Sequence, residues 1–236
     1  MKERTIRAGM LLGKDAMEKL QKSHVAVFGL GGVGSWCAEA LARTGVGKLT
    51  LVDQDTVSES NLNRQVCALY STVGRPKAAA MADRLRDIAP ELGLTVLPAR
   101  YEAAAREAFF VERYDYIADC IDLVACKLDL ISTAGERGIP VISALGTGNK
   151  TDAEKLTVCD ISRTEGCPLA RVVRKELRRR GITHLTVVYS PEKALEPARV
   201  EEPPPGRRSV PGSLVWVPAS AGMLAAQHIV MALTAR

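Results

Sequence analysis

The 236-residue sequence has no two cysteines in C-x-x-C spacing; Cys37, Cys67, Cys120, Cys126, Cys159 and Cys167 stand singly along the chain. That argues against both a thiolate zinc site and a disulfide framework, and the six are expected to be reduced and mostly buried. Histidine is equally scarce, and His24, His184 and His228 have no metal-ligand spacing. Aromatic residues make up 4% of the chain, too few for an extended base-stacking platform. No apolar run approaches the roughly 20 residues that cross a bilayer, and none of signal-peptide length follows MKERTIRAGM. A cytoplasmic location with no membrane partner is therefore expected. Neither charge sign dominates strongly: the net charge of +5 is a mild excess that favours a polyanionic partner.

What is present is the composition of a folded protein, 47% hydrophobic and 25% charged, at a length that one α/β core can fill. His24 to Gly29 reads as a buried strand, Ser35 to Thr44 as a helix closed by Gly45 and Gly47, and Lys48 to Val52 as a second strand. Strand, glycine turn, helix and strand form a βαβ unit with parallel strands. Helices are expected over 77–88, 103–111 and 127–137, alternating with strands over 94–98, 114–120 and 140–144. The fold class is thus α/β, a doubly wound Rossmann-like sheet, parallel in the first half. A smaller C-terminal extension carries strands at 156–161 and 184–189, a helix at 168–180 and an apolar helix at 222–233. Between these last elements the Pro- and Glu-rich stretch 191–212 is expected to be a mobile loop. The whole, 1–236, is expected to be one domain, with a nucleotide-binding core over 1–150 and a substrate-facing extension over 151–236.

Gly29-Leu30-Gly31-Gly32-Val33-Gly34 places GxGxxG between a strand and a helix, where glycines let backbone approach a phosphate. Gly29, Gly31, Gly32 and Gly34 are therefore nucleotide-site candidates. Asp53, at the end of the next strand, suits a ribose hydroxyl. To this point NAD and ATP are both admissible.

The residues after Asp53 separate them: Asp53-Gln54-Asp55-Thr56-Val57 leads into Asn61-Leu62-Asn63-Arg64-Gln65 and Gly74-Arg75-Pro76-Lys77. The combined string resembles the ubiquitin-activating, molybdopterin- and thiamine-pathway adenylyltransferases. Adenylation moves a carboxylate oxygen onto the α-phosphate of ATP while pyrophosphate leaves, so negative charge must be held. Arg64 and Lys77 suit a triphosphate clamp, and Asn61 and Gln65 can supply neutral donors. The resemblance places Asp55 and Asn63 with them as nucleotide contacts. Asp119 and Asp122 fall at the C-terminal end of a strand expected to be parallel, the edge where such sheets bind ligands. Asp119 is a candidate nucleotide contact or, alternatively, a cap of the next helix. The family's Asp-x-x-Asp pattern implies a Mg2+ role for Asp122, although Leu123 follows where many relatives have Asn or Ser. The opening Arg7-Ala8-Gly9-Met10-Leu11-Leu12-Gly13 resembles the segment whose arginine reaches a second subunit's γ-phosphate. That implies a homodimer in which Arg7 is catalytic, with Arg4 a competing match.

The second half reads Asp160-Ile161-Ser162-Arg163-Thr164, Cys167-Pro168-Leu169-Ala170-Arg171, Val188-Tyr189-Ser190, Gly212-Ser213 and Val217-Pro218-Ala219. With the first half, it is similar to the tRNA threonylcarbamoyladenosine dehydratases. The resemblance implies ATP-driven cyclisation of threonylcarbamoyladenosine in tRNA through a carboxyl-adenylate, with a sulfur-transfer protein as a further candidate partner. Arg171, Arg174, Lys175, Arg178, Arg179 and Arg180 concentrate positive charge on one expected helix and are candidate tRNA contacts. Cys167 precedes that helix, but an intramolecular cyclisation needs no enzyme thiol, and it is taken as structural or incidental. Two other functions stay open: activation of the C-terminal glycine of a sulfur-carrier protein, and a nucleotide-binding regulatory module without turnover.

Overall fold

Within His24–Phe28 (HVAVF) every residue is buried, because both faces of this strand are covered. In the computed structural model, which describes residues 2–198 and 211–235, this strand is β1. The others are β2 (Lys48–Val52), β3 (Gly93–Leu97), β4 (Tyr116–Asp119), β5 (Val141–Ala144), β6 (Thr157–Asp160) and β7 (Thr186–Tyr189). They form one seven-stranded sheet in the order β3-β2-β1-β4-β5-β7-β6. Every pairing is parallel except β6 with β7, so the first half is parallel as expected and the antiparallel strand is an edge contributed by the C-terminal extension.

The helices are α1 (Ile6–Leu12), α2 (Lys14–Lys22), α3 (Gly34–Thr44), α4 (Lys77–Ile88), α5 (Val124–Glu136), α6 (Pro168–Arg179) and α7 (Trp216–Thr234). Alternation along β1 assigns them to faces. Val25 and Val27 join the core formed with α3, α4 and α7, whereas Ala26 and Phe28 face α5. The scarce aromatics are concentrated there. All three phenylalanines, Phe28, Phe109 and Phe110, pack with Tyr101 and Tyr114, the Phe28 and Tyr101 rings 5.4 Å apart and nearly perpendicular.

Several boundaries differ from the sequence expectations. The N-terminal helical segment, for which no element was expected, is broken at Gly13, whose φ of 85° separates α1 from α2. Ala103–Phe109 is a 3-10 stretch kinked at Ala105 rather than an α-helix; it buries only Phe109 along its length, so no apolar stripe sustains longer helical pairing. The last helix begins six residues before Gly222. Its first-turn Pro218 lacks an N–H that would have no helical partner there anyway. Over its 19 residues it is long and apolar enough to cross a membrane, yet Val217, Ala221, Ala225, Ala226 and Ile229 are buried against the sheet and α3. The stretch expected to be a mobile loop falls largely on residues 199–210, which lie outside the described residues.

Gly222 is not a boundary but a point of close approach, since a Cβ there would lie 2.4 Å from the Val33 carbonyl oxygen and 2.9 Å from Trp36 Cβ. Gly222→Ala is expected to push α7 away from α3 and cost about 1–3 kcal/mol. Thermal unfolding should register a fall of roughly 2–4 °C per kcal/mol in a chain of this size; an unchanged midpoint would show that α7 can shift without cost.

Candidate active site

Three strands end level with one another: Phe28 is in register with Val52 on one side and Asp119 on the other. Gly29, Asp53 and Cys120 therefore open three loops along one edge. This is also where the order of strand addition reverses, between β1 and β4, the crevice in which doubly wound sheets bind ligands. The loops are packed so closely that side chains are excluded. Gly29 has a φ of 87°, and a Cβ on it would lie 2.7 Å from the Cys120 carbonyl oxygen; one on Gly34 would lie 1.8 Å from the Gly29 carbonyl oxygen. Beyond them Gly31 faces open space, with nothing within 4 Å of a Cβ built there. The turn thus presents bare backbone at the start of α3, as a phosphate cradle requires.

Asp53 is held by two amides: Leu30 N–H donates to Oδ2 at 2.6 Å and Asp55 N–H to Oδ1 at 2.8 Å. Burial pushes this carboxyl up from its ordinary range, while those amides and the nearby Lys77 act the other way. Each oxygen retains a lone pair that can accept from a ribose hydroxyl. Lys77, buried at the first turn of α4, places its ammonium 3.0 Å from Asp55 Oδ2, and its N–H donates to the Asp55 carbonyl at 2.8 Å. In the Asn61-to-Gln65 segment, Asn61 Oδ1 accepts from Ser58 N–H at 3.2 Å and so fixes the local turn. Arg64 Nη1 donates to the Ser60 carbonyl and to Asn63 Oδ1, both at 2.9 Å. Gln65 is buried, and among the described residues its Oε1 is the one buried side-chain polar atom without a partner. A bare-backbone cradle, two fixed cations and an acceptor awaiting a donor fit a nucleoside triphosphate.

The two acids after β4 part company. Asp122 is exposed on the loop ahead of α5. Asp119 is completely buried, contrary to its expected place among the nucleotide contacts. Its Oδ2 accepts from Lys127 Nζ at 2.7 Å and from Ser143 Oγ at 2.6 Å, and Oδ1 accepts from Ile121 N–H at 3.2 Å. Nor does it cap α5, whose N-cap is Leu123, a side chain that makes no capping bond. Lys127 and Ser143 went unnoticed in the sequence because a lysine inside an amphipathic helix gives no sign of facing inward. Among the described residues no cluster of three or more His, Cys, Asp or Glu could hold a metal alone. A single exposed carboxylate is nonetheless compatible with Mg2+ bound chiefly through phosphates.

The peripheral candidates are also sorted. Arg4 is engaged within its own chain, with Glu91 at 2.6 Å and the Ala42 carbonyl at 3.0 Å. Arg7 is exposed on α1 and makes no hydrogen bond or ion pair among the described residues. Arg171, Lys175, Arg178 and Arg179 on α6 and its C-cap Arg180 are exposed, the first three at i, i+4 and i+7 along one stripe. Arg174 departs from the expectation: its Nη1 donates to the Thr164 carbonyl at 2.5 Å and to the Thr164 hydroxyl, bracing the preceding loop. Cys167 is the buried N-cap of α6, its Sγ accepting from Ala170 N–H at 3.5 Å.

A family model described as the ThiF family matches residues 3–236. The chain belongs to the ThiF family. Among ThiF relatives, the tRNA threonylcarbamoyladenosine dehydratase of Bacillus subtilis is 41% identical over 234 residues, covering 95% of this chain and 92% of its own. The crystal structure of the E. coli tRNA N6-threonylcarbamoyladenosine dehydratase in complex with ATP superimposes with a TM-score of 0.89 at 34% identity, over 99% of this chain and 94% of that one. The E. coli molybdopterin-synthase adenylyltransferase is 40% identical over only 129 residues, 55% of this chain and 51% of its own. Likeness to these two dehydratases thus extends through the C-terminal half of the chain.

The Lys127–Asp119 pair yields a test of what supports the site. Lys127→Met leaves a buried carboxylate without its cation and should cost about 3–5 kcal/mol in denaturant unfolding. The double variant Lys127→Met/Asp119→Leu should recover a large part of that loss; equal destabilisation of the two would mean that the charges do not compensate one another.

Proposed function

We infer that this chain is an ATP-dependent tRNA threonylcarbamoyladenosine dehydratase. The observation that carries the assignment is 41% identity to a dehydratase across 95% of the chain, together with a nucleotide crevice holding Arg64 and Lys77. A carboxylate oxygen of the modified nucleoside attacks the α-phosphorus of ATP, and pyrophosphate leaves. The carbamoyl group then attacks the activated carbonyl, an N–H proton is lost, and AMP departs with the original carboxylate oxygen. The nucleoside has lost one water.

In this scheme Asp53 holds the ribose and the Gly31 turn lies along the phosphates. Arg64 and Lys77 stabilise the charge that develops as pyrophosphate departs. Asp55, which pairs with Lys77 at 3.0 Å, keeps that ammonium in place, and Asn61, Asn63 and Gln65 complete the polar wall. Asp122 is the residue proposed to hold Mg2+, which when bound would offset phosphate charge. Asp119 is assigned a supporting role, holding the loop that bears Asp122. The exposed basic stripe of α6 is proposed to meet tRNA phosphates, with Arg179 and Arg180 beside it.

A homodimer is proposed on the same grounds. Arg7, Met10 and Leu11 lie at i, i+3 and i+4 on one face of α1, and Met10 and Leu11 are 76% and 89% exposed. An apolar face around an exposed arginine suits a contact that delivers Arg7 to the partner's triphosphate. Arg4, tied to Glu91, is not available for that task.

Purified protein with ATP, Mg2+ and tRNA carrying threonylcarbamoyladenosine should give a nucleoside lighter by one water under mild digestion, as read by mass spectrometry. Arg64→Ala should reduce turnover at least about 100-fold, the scale of losing one preorganised charge-stabilising donor. No mass change, with ATP consumed only when a carrier protein ending in Gly-Gly is supplied, would reassign the chain to carrier activation. For the shared site, mixing Arg7→Ala and Arg64→Ala chains should restore activity above either homodimer, since one of the two sites in each mixed dimer is intact. Mixtures no more active than the parents would leave each chain catalytically self-sufficient.

A further inference from the structure

Arg64 can serve a triphosphate only if its guanidinium is aimed before ATP arrives, and both Nη1 protons are already committed, to Ser60 and to Asn63. Among the described residues, neither Nε nor Nη2 donates a hydrogen bond, which leaves three N–H groups of the fork for a ligand. The aim of the fork therefore depends on Asn63 Oδ1. Asn63 is itself exposed, and its amide is oriented by one further bond, from Nδ2 to the Ser213 carbonyl at 3.0 Å, across 150 residues of sequence.

Ser213 in turn belongs to a segment without regular structure ahead of α7, so something must hold it. That holder is Asn149. Its N–H donates to the Gly212 carbonyl at 2.8 Å, and the Gly212 N–H donates to its Oδ1 at 2.6 Å, so the backbone and side chain of one residue bracket one glycine. A third bond, from Leu195 N–H to the Asn149 carbonyl at 2.8 Å, anchors the clasp on its other side. Asn149 does this at a φ of 58° and is the one non-glycine residue with positive φ among those described. Asparagine is the common non-glycine choice for that conformation, and here its amide also supplies the acceptor. The same segment continues to Pro218, which packs where a Cβ on Gly32 would come within 3.0 Å of its own Cβ and 3.4 Å of Arg64 Cγ.

We propose that Asn149 is a positioning residue for Arg64, acting through Gly212–Ser213 and the Asn63 amide. This rests on the assignment of Arg64 to the ATP phosphates. Asn149 touches no reacting atom; it fixes the conformation in which the guanidinium waits, so ATP binding need not order it. The segment after the central half of the chain thereby sets the charge at the nucleotide.

The test is equilibrium binding of ATP to the full chain, which stays measurable in variants too slow to assay. Asn149→Gly keeps the positive φ and removes only the side-chain acceptor, Asn149→Asp keeps the acceptor, and Asn63→Ala breaks the relay one step nearer the arginine. Asn149→Gly and Asn63→Ala should each weaken ATP binding about tenfold, the scale of a lost hydrogen bond to a charged group. Asn149→Asp should restore most of the affinity. In an Arg64→Ala background, Asn149→Gly should add less than about a twofold loss, because coupled residues are not additive. A merely structural role would weaken binding by the same factor in both backgrounds, and that result, or wild-type affinity in Asn149→Gly, overturns the proposal. An Arg64→Ala chain that binds and turns over ATP normally refutes the clamp beneath it. That failure is told apart because it appears in the single variant, before any Asn149 change is made.

Discussion

Everything at the mouth of this sheet depends on how closely β1 and β4 end beside one another. Gly29 comes so near the Cys120 carbonyl that no side chain fits between them, and directly beneath, Asp119 is closed off from water by Lys127 and Ser143. A buried carboxylate is costly unless its partners are already in place. Lys127 comes from the first turns of α5 and Ser143 from β5, so the pair ties the end of β4 to two further elements, and Lys127 reaches the Ala144 carbonyl as well. The mouth of the sheet between β1 and β4 is thereby braced from beneath by a fully buried ion pair.

Most of the site was legible because its chemistry lies in one stretch of chain. The strand, the glycines, Asp53 and the Asn61-to-Lys77 cations fall within about fifty residues, and each residue type is the one its task requires. Asp53 takes the Leu30 N–H of the glycine turn, Lys77 lies near it, and Arg64 Cγ would stand 3.4 Å from a Cβ built on Gly32. What misled was ambiguity of type. Asp119 and Asp122 look equivalent as letters, and only register decides that one falls on the last buried position of β4 while the other reaches solvent. Arg174 differs from its basic neighbours for a similar reason: it sits a quarter turn from Arg171 and Lys175, and is drawn inward to the carbonyls before α6. Glycine can also mark opposite things. Gly13 breaks a helix, whereas Gly222 lies inside one, permitting contact with α3.

The contacts that escaped detection share another property, their separation in sequence. Lys127 with Asp119 could have been suspected from proximity along the chain, but Asn149 with Gly212, Ser213 with Asn63 and Pro218 with Gly32 could not. Asn149, Gly212 and Ser213 are loop residues without periodicity or charge pattern, and Pro218 in the first turn of α7 gives no sign of which glycine it will meet. Their meaning appears only when β7 joins β5 in one continuous sheet and α7 returns across α3.

That return joins the two halves of the chain at the crevice. The first half carries the glycine turn, Asp53, Arg64 and Lys77, the groups proposed above to serve ATP. The part that follows is not merely appended: the Ser213 carbonyl accepts from Asn63, and Pro218 packs beside Gly32 near Arg64. A change in the C-terminal segment that accommodates a new carboxylate therefore also moves the support of Arg64. The extents of likeness agree with such a joint construction: 129 residues, 55% of this chain, match the E. coli molybdopterin-synthase adenylyltransferase, whereas 95% of the chain matches the B. subtilis dehydratase.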